Sequence, residues 1–322
     1  MNIQTLSCLF MATVAAPCLA QAQEMVPSPE RILSDPTFLP LKGQLYGESG
    51  YDYGSVTGTS DSAAGTAFQR GWSNTWRQAL AYGVTDRISL NVDMDYATDH
   101  SRDTAADGTV SGAGRGGFDN PRFGAAWRLV DQTDHPFTLD LKGWYAPDLF
   151  PAKTPVGTSD GTVASGDAQA DIGLALGHET RAFTIQASVS GRWLGGADER
   201  DMASGDTRHT TAAWIPTLGL ATQTRITPRL SVNVGGDFNF AASPTVSNEQ
   251  TGLFYQARRG DTGDLAVAVN YHLIPNKVVG SLGYKHGFFG RGDNVFPADP
   301  ARDAEIDRSS NTFGGTLRYV FR

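Results

Sequence analysis

Cysteine is almost missing from this chain. There are two, Cys8 and Cys18, and both fall within the mostly apolar stretch Leu6 to Ala20, which runs into Ala20-Gln21-Ala22. That small-x-small pattern is one a signal peptidase cuts. With cleavage after Ala22, residues 1–22 are a secretory signal and the mature chain begins at Gln23 with no cysteine, which excludes a disulfide framework or a cysteine metal site. No Lys or Arg precedes the apolar run, and Pro17 stands where a lipoprotein would need a small residue before Cys18. Also absent is any later apolar run near the roughly 20 residues a membrane-crossing helix needs. Excess positive charge is lacking as well: the formal net charge is -8, and the expected signal contributes nothing to it, so no nucleic-acid partner is expected.

What the chain has is alternation. Phe313, Gly315, Leu317, Tyr319 and Phe321 share one face of a strand, with Gly314, Thr316, Arg318 and Val320 on the other, because successive side chains of a strand point to opposite sides. Apolar outside against polar inside is what a membrane β-barrel requires. The aromatic end of this strand, Tyr319 and Phe321, resembles the C-terminal signal read by the bacterial outer-membrane assembly machinery, with the departure that Arg322 follows. Mean hydropathy of -0.29 does not oppose a membrane location, since a polar lumen and polar loops hide a lipid-facing band in any average. Thirty-seven glycines, ten tyrosines and six tryptophans suit tight turns and interfacial aromatic belts.

The same rhythm recurs along the chain. Ile88, Leu90, Val92, Met94 and Tyr96 oppose Ser89, Asn91, Asp93 and Asp95; Phe123, Ala125, Trp127 and Leu129 oppose Arg122, Gly124, Ala126 and Arg128; Phe137, Leu139, Leu141 and Tyr145 oppose Asp140 and Lys142. Further strands place Ile172, Leu174 and Leu176 against Asp171, Phe183, Ile185 and Val189 against Arg192, and Leu230, Val232 and Val234 against Asn233 and Asp237. Leu265, Val267, Val269 and Tyr271 face away from Asn270 and His272. The second and eighth strands are less tidy, the second with Asn74 and Gln78 on the face of Trp72, Trp76 and Tyr82.

Connections alternate in length. Short turns are expected at 84–87, 131–135, 179–181, 226–228 and 275–277, and long polar segments at 55–66, 99–118, 148–166, 195–209, 241–263 and 289–308. These joints make twelve strands, an even number with both termini periplasmic and the long loops outside. The segment 253–259 either extends its neighbour or forms a hairpin within a loop. A secreted sandwich or propeller also has short strands with glycine-rich connections. The strict alternation of turn lengths, the terminal aromatic and the aromatics at strand ends, such as Tyr82, Tyr96, Trp127 and Trp193, favour an all-β transmembrane antiparallel barrel over residues 41–322. Residues 23–40, with Pro27, Pro29, Pro36 and Pro40, form an extended periplasmic lead, because proline removes backbone donors.

Two stretches carry a resemblance: Tyr82-Gly83-Val84-Thr85-Asp86-Arg87-Ile88-Ser89-Leu90, and Phe118-Asp119-Asn120-Pro121-Arg122-Phe123-Gly124-Ala125-Ala126-Trp127-Arg128-Leu129. The chain resembles the outer-membrane transporters of the MetA-pathway of phenol degradation family, in which a strand ends in a Thr-Asp-Arg-like turn and a later strand opens on Gly-Asp-like residues and ends in Arg-Leu. Here Gly117-Phe118-Asp119 approximates the Gly-Asp element. The resemblance implies passage of small aromatic or hydrophobic molecules across the bacterial outer membrane and assigns no binding residue.

The candidate chemistry is that of a pore lined by both charge signs: Glu48, Asp93, Asp95, Arg122, Arg128, Asp140, Lys142, Asp171, Arg192, Asp237, Lys285 and Arg318. Opposed rows of charge select polar solutes; the alternative is that they pair and plug the barrel, since buried charge must be compensated. Expected partners are membrane lipid and lipopolysaccharide, the assembly machinery and a small-molecule solute. No cofactor and no metal are expected. A barrel enzyme acting on envelope lipid would need a Ser-His constellation, and the adjacent pair His100-Ser101 is poorly placed to form one. Gly112, Gly114 and Gly117 match a dinucleotide motif in spacing only, since Pro121 and an alternating strand follow instead of a helix. The acidic stretch 99–107 lacks EF-hand spacing and is read as solvated surface. Arg259-Gly260-Asp261 and Arg291-Gly292-Asp293 leave a surface-adhesion barrel as a minor alternative.

Overall fold

A computed structural model describes residues 32–154, 161–201, 205–248, 252 and 254–321; the expected signal, 1–22, and residues 23–31 of the expected lead lie outside them. The barrel strands, apart from short strands in the long connections, are β1 (Leu45–Ser62), β2 (Gly65–Gly83), β3 (Ile88–Thr104), β4 in two pieces (Val110–Phe118 and Arg122–Val130), β5 (Thr138–Ala146), β6 (Gln169–Glu179), β7 (Phe183–Leu194), β8 (Ala213–Thr227), β9 (Leu230–Asn239), β10 (Thr262–Ile274), β11 (Val278–Val295) and β12 (Ala304–Phe321). Each pairs antiparallel with the next, and β12 returns to β1 in unbroken register from Leu45 opposite Phe321 to Ser62 opposite Ala304. The result is a closed barrel of twelve strands. Closure leaves no unpaired edge, which is the condition for a sheet to cross lipid. Among the described residues no helix is long and apolar enough to do so.

The barrel is inverted relative to a soluble protein. Leu90, Trp127, Ile172, Val189, Leu218, Leu282 and Phe313 are all exposed on its outside, whereas the largest fully buried side chains are Gln223, Val279, Asn270, Thr184, Asp140 and Ser231. Outward aromatics form a row across four strands: Tyr51 to Trp76 at 5.2 Å between ring centroids, Trp76 to Tyr96 at 5.9 Å and Tyr96 to Phe118 at 5.2 Å. Cross-strand aromatic contacts of this kind stabilise neighbouring strands directly. The untidy polar residues of β2 are satisfied on that same face, Asn74 Oδ1 accepting from Tyr51 Oη at 2.7 Å and Gln78 Oε1 from Ser49 Oγ at 2.8 Å. Gly47 faces outward too, where a Cβ would collide with the ring of Tyr319 on β12.

Strands outrun the membrane band on the side of the long connections. The segments 55–66, 99–118 and 289–308, read from sequence as polar loops, are largely strand: β1 and β2 meet in a tight turn after Ser62, and β3 and the outer piece of β4 pair out to Thr104 and Val110. Polarity was the misleading signal. Above the bilayer a strand has water on both faces, so backbone pairing continues with no apolar set to betray it. Phe254–Arg258 pairs with Thr245–Asn248 as a hairpin within its loop and also meets β11. The break in β4 comes at Asp119-Asn120-Pro121, where Asn120 Oδ1 accepts from the backbone N–H of Leu149 and Phe150, both at 2.9 Å.

Candidate functional site: the barrel interior

The inward-pointing residues divide into two tiers. At the end marked by the short turns, the interior is filled by residues 33–39, with Leu33 and Leu39 only 3% exposed. Asp35 is held by Thr184 Oγ1 at 2.5 Å and Arg225 Nη2 at 3.0 Å, and its other oxygen accepts from the Thr37 backbone N–H. Ser34 Oγ takes a hydrogen bond from Gln223 Nε2 at 2.6 Å and lies 3.2 Å from His272 Nε2. Asn233 Nδ2 donates to the Ser34 carbonyl at 2.9 Å, and Arg128 Nη2 donates to the Thr37 carbonyl at 2.5 Å. Arg225 also donates to Glu179 at 2.6 Å and to the carbonyls of Thr180 and Arg181 at 2.9 Å. The segment is therefore tied to β4, β7, β8, β9 and β10 at once. The segment turns on itself around Pro36, the Asp35 and Phe38 N–H donating to the Ile32 and Asp35 carbonyls at 2.9 and 3.0 Å, and the Ser34 and Thr37 carbonyls are left for the wall.

Arg128 and Asp140 belong to this closed tier. They are 4% and 1% exposed, pair through Arg128 Nε to Asp140 Oδ1 at 2.9 Å, and stand with Lys142 beside them. A buried pair persists only where its remaining lone pairs and protons are also satisfied, and here the Thr37 carbonyl completes the set.

The second tier lies further along the barrel. Glu48 accepts from Arg318 Nε at 2.9 Å and from Tyr46 Oη at 2.5 Å. Arg77 bridges Asp52 at 3.3 Å and Asp95 at 3.5 Å, and Arg122 Nη2 donates to Asp95 at 3.1 Å. Asp93 lies opposite Arg122 in register, with Asn91 Nδ2 at 3.5 Å. Arg122 and Arg192 place their guanidinium carbons 6.0 and 5.9 Å from the ring centroid of Trp144, and Asp171 accepts from Ser190 Oγ at 3.2 Å. Asp237 is within electrostatic range of Arg192, Lys285, Asp171 and Asp264. In these pairs the cation is the more accessible partner: side chains of Arg77, Arg122 and Arg192 are 36–42% exposed, against 14–17% for Asp95 and Asp171.

Arg77, Trp144, Arg225, Asp35 and Ser34 are absent from the residues picked out by sequence. Strand parity could have found Arg77 and Trp144, which alternate with outward Trp76 and Tyr145; nothing local points to the others, since Ser34 bonds Gln223 at 189 positions along the chain and Asp35 bonds Thr184 and Arg225 at 149 and 190. His100 and Ser101 sit on opposite faces of β3, the imidazole stacking outward on Trp72 at 5.4 Å between centroids, so this pair forms no dyad. The contact between Ser34 and His272 has Arg225 as the imidazole's charged neighbour where a hydrolase would need a carboxylate or amide to orient it.

No protein-family model matches the sequence, and neither does any curated protein. Solved structures do match. An outer membrane channel from Pseudomonas putida F1 is similar over 92% of this chain and 100% of its own, with a TM-score of 0.57 at 13% identity. The transport unit of the autotransporter AIDA-I from Escherichia coli is similar over 90% of this chain and 95% of its own, with a TM-score of 0.52 at 10% identity. What they share with this chain is the fold. An apolar exterior on a closed barrel of that fold places the protein in a bacterial outer membrane.

Proposed function

We propose that this protein is an outer-membrane channel that lets small molecules cross passively, closed at its periplasmic end by residues 33–39. The observation that carries the reading is the solvent accessibility of Arg77, Arg122 and Arg192, which point into the barrel and yet keep 36–42% of their side-chain surface. Charges walled in by lipid stay that accessible only beside an aqueous space. Glu48, Asp93, Asp95, Arg122, Asp171, Arg192, Asp237, Lys285 and Arg318 line this path, and Arg128, Asp140 and Lys142 belong to its closed end. The similar barrel from Pseudomonas putida F1, itself described as an outer membrane channel, supports the reading, as does the resemblance to transporters of small aromatic or hydrophobic molecules. Tyr319 and Phe321 serve as the assembly signal.

Single-channel recording of the refolded mature protein in a planar bilayer tests it. Discrete steps whose ion selectivity shifts in Asp93→Asn plus Asp95→Asn are expected. Silence from an inserted barrel, persisting after deletion of residues 23–39, rejects the channel.

A further inference from the structure

Two guanidinium groups on the outer face of the barrel are uncommitted. Arg70 on β2 and Arg102 on β3 stand directly opposite each other in the strand register, and both are exposed. They lie on the outer side of the wall, two residues beyond outward Trp72 and His100 on the same two strands. Neither side chain makes a hydrogen bond or ion pair among the described residues. Like charges directly opposite on one face of a sheet destabilise it, so the stability of the barrel gives no account of this pair. The outward carboxylates of the neighbouring strands, Asp61 and Asp307, lie further from the membrane, Asp61 accepting from Thr66 at 2.6 Å and Asp307 opposite Thr59.

The apolar band fixes the depth of the pair. On β2 the outward aromatics Tyr82 and Trp72 are ten positions apart. At roughly 3.3 Å per residue and a tilt of about 40° they bound a height of about 25 Å, that of a lipid-facing band between its two aromatic girdles. Tyr82 adjoins a short turn, so Trp72 marks the girdle on the side of the long connections. Arg70 and Arg102 are therefore level with the headgroups of the outer leaflet.

The wall beside them is bare. Gly112, Gly114 and Gly116 on the outer piece of β4 stand opposite Arg102, His100 and Thr98. A Cβ on Gly114 would come 3.3 Å from His100 Nδ1; without one, the sheet keeps a shelf free of side chains next to the cations. On the membrane side, Trp72 and His100 stack at 5.4 Å between centroids and offer a flat surface where acyl chains begin.

We propose that Arg70 and Arg102 bind the headgroup phosphate of an outer-leaflet lipid of the lipopolysaccharide class, with its sugar on the glycine shelf and its first acyl carbons against Trp72 and His100. Guanidinium forks take phosphate oxygens in pairs, and basic groups at headgroup depth draw anionic lipid. The site depends on the outer-membrane location alone and is independent of whether the barrel conducts.

Native mass spectrometry of the refolded mature protein in detergent tests it, with phosphorylated lipid A as the probe against the same lipid stripped of phosphate. The phosphorylated lipid is expected to bind about tenfold more tightly. Arg70→Gln plus Arg102→Gln removes that preference, and because both side chains are exposed and unpartnered the variant keeps the heat-modifiable gel mobility of a folded barrel. Arg87→Gln, which takes a charge from the periplasmic rim, leaves the preference intact. Equal binding of the two lipids by the unaltered protein overturns the proposal, and so does a preference that survives the double variant. Displacement of the lipid by inorganic phosphate at matching concentration also overturns it, marking a simple anion site.

Discussion

At the residue scale, the side chains that matter most are those whose charge is hidden. Arg128 and Asp140 together present almost no surface, and their contacts run to each other, to the Thr37 carbonyl and, from Arg128 Nη1, to Asp131 at 3.9 Å. Removing Asp140 leaves the buried Arg128 with only the more distant Asp131 to offset its charge, so Asp140→Ala is expected to destabilise the folded barrel by about 3 kcal/mol. Urea unfolding in detergent measures this, and a loss no larger than that of an exposed pair such as Arg87 and Asp134 would contradict it. Tyr319 offers a steric counterpart. Its ring covers Gly47, so Gly47→Val forces the ring away from β1 and is expected to weaken closure between β1 and β12, read as a lower temperature of heat-modification on gels. Trp144 shows how single residues escape a reading by composition: a tryptophan in a membrane protein suggests the interface belt, yet strand parity turns this one inward beside two arginines.

At the element scale, residues 33–39 act as a stopper held by side chains rather than by sheet pairing. Ser34, Asp35 and Thr37 all bond to the wall, and Arg225 gathers Asp35, Glu179 and two turn carbonyls on one guanidinium. Arg225→Ala is expected to loosen the segment while leaving the barrel ladder intact, with more frequent or longer openings in single-channel records. Unchanged openings would mean that the segment is held without it. The strands themselves obey a simpler rule. Within the bilayer the apolar set must face out, so alternation exposes them in the sequence, and the expected turns at 84–87, 131–135 and 275–277 fall where the strands end. Beyond it the rule lapses, which is why β1 to β4 and β11 and β12 run further than their hydropathy shows.

At the scale of the whole molecule, closure joins local rules to a single object. The net charge of -8 says little about the surface a solute meets, because the carboxylates of several interior pairs are tucked into the wall and the guanidinium groups stand forward. The exterior has no such latitude. Leu174, exposed on β6, is expected to tolerate apolar exchange, whereas Leu174→Arg costs about 2–4 kcal/mol if it lies near the midplane. Folding yield into bilayers of defined thickness measures it, and an unaffected yield would place β6 deeper in water than the apolar band implies.

The amino-acid sequence by itself determined the class of fold, the number of strands and the face that most of the strands turn to lipid. Those follow from a constraint acting residue by residue, the need of every spanning strand to hide its backbone and show apolar side chains to hydrocarbon. Only the tertiary structure decided what happens inside. Asp95 finds Arg77 and Arg122, Asp35 finds Arg225 across 190 positions of chain, and Arg192 finds Asp171 and the ring of Trp144. Parity places a side chain in the lumen but carries no information on its partner, because barrel closure and the inserted segment bring together groups that are distant along the chain.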